Sequence, residues 1–127
     1  MNLNQITVPT LNVPAAISFY QKLGLKLIVH SDDHYARFEC ENGATFSLHL
    51  VDQLPQGEGT YVYFECDDLD QKVEELIGKG IQFEMMPTDQ RWLWREARLK
   101  DLDGNRIILF FAGENRLNPP WKLKEEV

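Results

Sequence analysis

The chain has 127 residues, 43% of them hydrophobic and 26% charged, with a formal net charge of −7 and a sequence pI near 4.9. That length supports one domain with its own core, without disulfide or metal staples. The acidic balance excludes nucleic acid as a partner, because phosphate binding demands a basic face, while it permits a cationic ligand.

The opening "MNLNQITVP" has neither a basic leader nor an apolar run, and no later stretch approaches the ~20 apolar residues of a membrane span. The expectation is a cytoplasmic protein with no membrane partner. "ITVPTLNVPAAISFYQKLGL" then reads as an alternating strand, an Asn12 helix cap, an amphipathic helix presenting Ile17, Phe19 and Tyr20, and a stop at Gly24. "YARFECENGATFSLHL" follows as a strand, a glycine turn and a second strand.

The pattern then repeats. "VYFECDDLDQKVEELIGKGI" overlays the first block at an offset of 56, with Val62 for Ile6, Phe64 for Val8, Asp68 for Asn12, Val73 for Ile17 and Gly80 for Gly24. Its helix presents Val73, Leu76 and Ile77. "EARLKDLDGNRIILFF" overlays the first hairpin at an offset of 61, with Ala97 for Ala36, Arg98 for Arg37 and Gly104 for Gly43. The second copy therefore carries 5 extra residues, assigned to a loop in "EMMPTDQRWLW" that holds Trp92 and Trp94. Added loop on a duplicated scaffold is where function tends to be added. The expected limits are 5–52 for module one, 60–112 for module two and 113–127 for a polar tail broken by Pro119 and Pro120. Trp121 in that tail points to docking on a partner subunit or on its own domain, and a homodimer is expected.

Cys40 and Cys66 lie in strand-like runs without metal-ligand spacing and read as free thiols. "DLDGN" is a turn, because its glycine comes fourth after Asp101 where a calcium loop needs it sixth.

Strand alternation sorts each strand into two faces. Ile6, Val8, Ala36, Phe38, Phe46 and Leu48 in one module, and Val62, Phe64, Ala97, Leu99, Ile107 and Leu109 in the other, form the helix-packed set. The opposite set is Gln5, Thr7, Tyr35, Arg37, Glu39, Ser47 and His49, then Tyr61, Tyr63, Glu65, Glu96, Arg98, Ile108 and Phe110. Curled sheets would make this set the lining of a cup suited to a small organic ligand. Flat sheets would make it a solvated face with Arg–Glu cross-strand pairs, such as Arg37 and Glu39 near Arg98 and Glu96.

The expected ligand contacts are Trp92, Trp94, Tyr61 and Tyr63 for an aromatic or cationic molecule, with Glu39, Glu65 and Glu96 supplying charge complementarity. Tyr35, Arg37, His49, Arg98 and Phe110 complete the lining. His49, two residues from Ser47 on one face, and Glu96 are the candidate acid–base residues of a metal-free reaction.

"AAISFYQKLGL", "FECDDLDQKVEELIGKGI" and "REARLKDLDGNRIILFF" resemble the vicinal oxygen chelate superfamily, which includes glyoxalase I, extradiol dioxygenases, and fosfomycin- and bleomycin-resistance proteins. Leu102 replaces the proline usual in that family's turn. The resemblance, over residues 5–112, implies an α+β fold of two βαβββ modules forming an incomplete barrel around a cleft. It also implies metal ligands at four positions, occupied here by Gln5, Ser47, Tyr61 and Ile108. Ile108 has no donor atom, so the expectation is a metal-free member without a cofactor. "RWLWREA" resembles the bleomycin-resistance branch, acidic dimers that sequester a drug, with Leu93 where glycine is common. The alternative is a lyase or dioxygenase with an off-pattern metal site of Gln5, His49 and Glu65.

Overall fold

Asn12 and Asp68 perform one task twice. Each side chain accepts the backbone N–H three residues on, from Ala15 at 3.1 Å and from Gln71 at 3.3 Å, and so caps a helix. Both helices also end alike: Gly24 and Gly80 take left-handed φ of 106° and 89°, and the next N–H, of Leu25 or Ile81, returns to the carbonyl of Tyr20 or Leu76. The hairpin turns match too, since Cys40 N–H bonds Ala44 O in one copy and Asp101 N–H bonds Asn105 O in the other. The duplication read from spacing is thus repeated bond for bond.

The computed structural model describes residues 1–124. The last three residues of the expected tail lie outside the described residues. The first copy runs β1 (Gln5–Thr10), α1 (Val13–Leu23), β2 (Lys26–Ser31), β3 (Tyr35–Glu39) and β4 (Thr45–Leu50). The second runs β5 (Tyr61–Glu65), α2 (Leu69–Gly78), β6 (Met85–Asp89), β7 (Arg95–Lys100) and β8 (Arg106–Phe111), then a single 3-10 turn at Gly113–Asn115. Each copy is a βαβββ module with a mixed four-stranded sheet, in the orders β1-β4-β3-β2 and β5-β8-β7-β6. β1 lies parallel to β4, a pairing that the intervening helix and hairpin make possible.

The chain divides into two compact units. Unit 1 is Met1–Thr60 with Lys100–Arg106, and unit 2 is Tyr61–Leu99 with the chain from Ile107 on. In unit 1, Val8, Phe38, Phe46 and Leu48 pack under Val13, Ile17, Phe19 and Tyr20. In unit 2, Val62, Leu99, Ile107 and Leu109 are buried with Leu69, Val73 and Leu76. Strand alternation and helical period therefore select the core in both units.

Two expectations need correction. Ile77 is 45% exposed and lies outside the core. Leu69, Val73 and Leu76 share one stripe of α2, and the next position turns about 100° away from Leu76. "EMMPTDQRWLW" is also not all loop, because Met85–Asp89 forms β6. β6 is an edge strand, where Pro87 costs no ladder bond, and its pairing with β7 shifts register between Met85 and Thr88.

The remaining connection, residues 90–94, closes on Gln90 N–H to Trp94 O at 2.7 Å. It places Leu93 at φ 69°, so the conformation that suits glycine is kept with a leucine in it. Leu93 is 47% exposed and lies outside the core, so little burial is gained in return. Leu93→Gly is expected to stabilise the protein by roughly 0.5–1 kcal/mol, a rise of about 2–4 °C in Tm. Thermal unfolding followed by circular dichroism checks this, and a lowered Tm would show that the leucine side chain holds the turn. Among the described residues no helix is long and apolar enough to cross a membrane, and both cysteines are free.

Candidate functional site

The helix-free face of unit 2 is built outward from a small second core. Ile108, Phe110 and Ala112 are buried there, with Trp94 packed on them. The Trp94 indole stacks on Phe110 with ring centroids 4.7 Å apart and 18° between planes. Tyr63 meets both rings edge-on, at 5.9 Å and 5.6 Å. Trp94 also donates its indole N–H to Asn115 O at 3.3 Å. Trp94 is thereby taken up in holding the tail, and Phe110, 4% exposed, offers a ligand almost no surface.

The open part of this face belongs to other residues. Tyr61 and Tyr63 are 39% and 43% exposed. Beside Tyr63, burial and the Glu96 charge hold its hydroxyl above the usual phenol range, against the pull of Arg98. Glu96 itself is 1% exposed. One of its oxygens accepts the Trp92 indole N–H at 2.8 Å, the other an Arg98 Nη–H at 3.0 Å. Half-buried Trp92 is thus fixed through its polar edge.

Glu65 is committed elsewhere. One oxygen accepts the backbone N–H groups of Ala112 and Gly113, at 2.8 and 2.9 Å, and the other lies 3.7 Å from Arg116 Nε. The carboxylate caps the 3-10 turn, and with Trp94 it ties the tail to the sheet.

In unit 1 the face is polar. Ser47, buried, pairs its hydroxyl with Thr7 at 2.6 Å and not with His49. The His49 side chain is exposed and makes no hydrogen bond among the described residues, so nothing orients its imidazole as a base. Arg37 donates from Nε to the Tyr35 hydroxyl at 2.9 Å, its guanidinium carbon 5.4 Å from the ring centre. Glu39 lies 3.9 Å from Lys26 Nζ. Burial raises the Tyr35 hydroxyl, but hydrogen bonds from Ser47, Arg37 and Gln5, with the Arg37 charge, outweigh it and leave the group below the usual phenol range.

Three of the four implied metal positions hold a side chain bonded elsewhere or lacking a donor. Gln5 Oε1 accepts the Thr45 hydroxyl at 2.8 Å, Ser47 is engaged by Thr7, and Ile108 is a buried hydrocarbon. Of the off-pattern set, Glu65 caps the tail, and among the described residues no three His, Cys, Asp or Glu side chains group as metal ligands.

Sequence reasoning missed two roles. Thr7 was read as a face residue, and only the parallel register of β1 with β4 puts it opposite Ser47. Asp101 was read as a turn residue, yet it also accepts the Tyr20 hydroxyl.

The profile described as "Glyoxalase/Bleomycin resistance protein/Dioxygenase superfamily" matches residues 2–109. A solved glyoxalase/bleomycin resistance protein/dioxygenase from Nocardioides is similar with a TM-score of 0.78 and 22% identity, over 98% of this chain and 90% of that one. A family enzyme from Burkholderia phytofirmans PsJN matches with a TM-score of 0.75 and 17% identity, over 88% and 99%. A lactoylglutathione lyase from Agrobacterium tumefaciens matches with 0.73 and 16%, over 87% and 92%. Identities this low carry the fold alone. No curated protein matches the chain.

Proposed function

This chain belongs to the glyoxalase/bleomycin resistance protein/dioxygenase superfamily, which includes lyases and dioxygenases, and we propose that within it this protein is a metal-independent small-molecule binder. The ligand is a planar aromatic molecule received on the unit 2 face against Tyr61, Tyr63 and Trp92. One observation carries the reading: exposed Tyr63 rests edge-on against buried Phe110, with exposed Tyr61 on the same strand face, near a buried carboxylate fixed by two donors. An apolar surface with a few oriented polar groups is what small organic ligands require.

The cationic half of the sequence expectation loses support. Glu96 is neutralised by Arg98, and Glu65 is spent on backbone N–H groups and Arg116. Neither carboxylate has charge to spare for a ligand, so a neutral aromatic ring fits better. The homodimer expected from the resemblance remains part of this proposal, with exposed Trp121 as its candidate contact.

Tryptophan fluorescence tests it with three probes of matched size, namely indole, a benzyltrimethylammonium salt and benzoate. Indole perturbs the overlap region of emission, so its binding is followed by calorimetry. The expected result is saturable binding that favours the neutral ring and weakens roughly tenfold in the double variant Tyr61→Ala/Tyr63→Ala. Unaltered affinity in that variant would remove the face from the site, and preference for the ammonium salt would restore the cationic reading.

A further inference from the structure

The duplication places Tyr35 and Arg37 where the second copy has Glu96 and Arg98. In both copies the arginine reaches two residues back along its own strand, to the same sheet face. The outcome differs in charge. Arg98 meets a buried carboxylate and is neutralised, whereas Arg37 meets a phenol and is not.

Among the described residues, no ion pair supplies the missing charge. Across the ladders, Arg37 faces Ser47 on β4 and Val29 on β2, and Thr7 lies beyond Ser47. Tyr35 faces His49 and Ser31. The ladder partners on this face are hydroxyls, an imidazole and a hydrocarbon, and Glu39, two residues along the strand, lies by Lys26 instead. Among the described residues no carboxylate pairs with Arg37, and its only hydrogen bond is through Nε. Among the described residues the Nη donors of this half-buried side chain have no acceptor. A partly desolvated guanidinium with idle donors is costly unless something anionic completes it. Against the effect of burial, hydrogen bonds from Ser47 and Arg37, with the Arg37 charge, hold the Tyr35 hydroxyl below the usual phenol range.

We propose that Arg37, oriented by Tyr35 and flanked by Thr7, is an oxyanion subsite that takes the carboxylate or phosphate monoester group of a small ligand. The planar fork of the guanidinium matches two oxygens of either group, and Arg37 keeps both Nη groups free for that purpose. Ser47, buried, does not touch the ligand but fixes the Thr7 hydroxyl at the rim. The inference rests on unit 1 alone, so it stands or falls independently of the aromatic face in unit 2.

Non-aromatic probes keep the two sites apart. Cyclohexanecarboxylate and cyclohexyl phosphate, with cyclohexanemethanol as the uncharged control, are titrated at constant ionic strength while the Arg Nε–H signals are followed by NMR. The expected result is saturable shifting of the Arg37 signal by at least one anion, none by the alcohol, and binding weakened at least tenfold in Arg37→Gln. The tighter anion names the oxyanion. Ultraviolet titration gives a second readout: saturating anion raises the midpoint of the earliest-ionising tyrosine, and Tyr35→Phe removes that tyrosine from the curve. Anion affinity equal in wild type and a folded Arg37→Gln, or no saturable shift with either anion, would overturn the proposal.

Discussion

Asp101→Ala is expected to destabilise the protein by about 3 kcal/mol, through unsatisfied partners rather than lost apolar area. The carboxylate is 7% exposed and fully engaged. One oxygen accepts the backbone N–H groups of Asp103 and Asn105, both at 2.9 Å, and the other accepts Asn105 Nδ2 at 2.8 Å and the Tyr20 hydroxyl. Removing it strands the turn and leaves the hydroxyl of fully buried Tyr20 dry among Phe19, Phe38 and Phe46. Each stranded group costs about 1–3 kcal/mol. Tyr20→Phe removes one donor and leaves the carboxylate three others, so its expected cost is only about 1 kcal/mol. Urea unfolding measures both, and an Asp101→Ala cost below that of Tyr20→Phe would show that the turn holds without its carboxylate.

The same contact sets an alkaline limit. Burial, then the Asp101 charge, pushes the Tyr20 hydroxyl far above its ordinary range. Above a pH of about 10 the unfolded chain releases this proton while the folded chain keeps it. The contribution is therefore complete below the unfolded value and is lost as pH rises toward the folded one, with a slope approaching ~1.4 kcal/mol per pH unit. Tyr63, also raised, adds a slope of the same sign, so the comparison is with Tyr20→Phe, which should lose stability more gently between pH 10 and 11. Parallel curves for the two proteins would mean that Tyr20 ionises equally in both states.

Periodicity and punctuation made the fold legible. Asn12 and Asp68 announce helices, Gly24 and Gly80 stop them, and two constant offsets expose the duplication. Alternation also chose most of the strand residues that pack on the helices, because a period of two fixes which face a side chain takes. Ser47, Glu96, Ile108 and Phe110, on the other face, are buried as well. Alternation says nothing about neighbours on a face. Ser47 and His49 share a strand face, yet register gives Ser47 to Thr7 and sets His49 across from Tyr35. Glu39 sits two residues from Arg37, yet β2 lays Lys26 opposite it. Side-chain partnership depends on strand order, and strand order is a long-range property.

The five extra residues show the same boundary. Their number followed from the offsets, but not their distribution. Six residues instead of two lead from helix to strand, β6 is one residue shorter than β2, and five instead of three close the hairpin. Pro87 made an edge strand look like a loop, because the rule that bars proline from sheets holds only where the ladder needs its N–H. The two tryptophans looked equivalent in sequence and are not. Trp94 folds back onto Phe110 while Trp92 reaches Glu96, a division made by the left-handed Leu93 between them.

The second large effect follows from that division. Arg98→Met is expected to cost about 2–3 kcal/mol, because it leaves the Glu96 carboxylate buried with the Trp92 indole as its remaining donor. A fully buried pair would cost about 3–5 kcal/mol, and the estimate is lowered because the Arg98 side chain is 40% exposed, where solvent shares the compensation. Arg98 is not ideally placed itself, since its buried Nε has no acceptor among the described residues. Removing both charges should therefore be milder than removing one, and Glu96→Leu/Arg98→Met should cost less than the two single changes added together. A coupling of about 2 kcal/mol in that double-mutant cycle is the expected value. Trp92 reports the event directly: losing its carboxylate partner frees the indole and shifts its emission to the red in Glu96→Leu, whereas in Arg98→Met the bond and the emission stay. Strict additivity, with Arg98→Met near neutral, would mean that solvent rather than Arg98 compensates Glu96. The carboxylate would then keep a charge for a ligand, and the cationic reading of the unit 2 face would regain its footing.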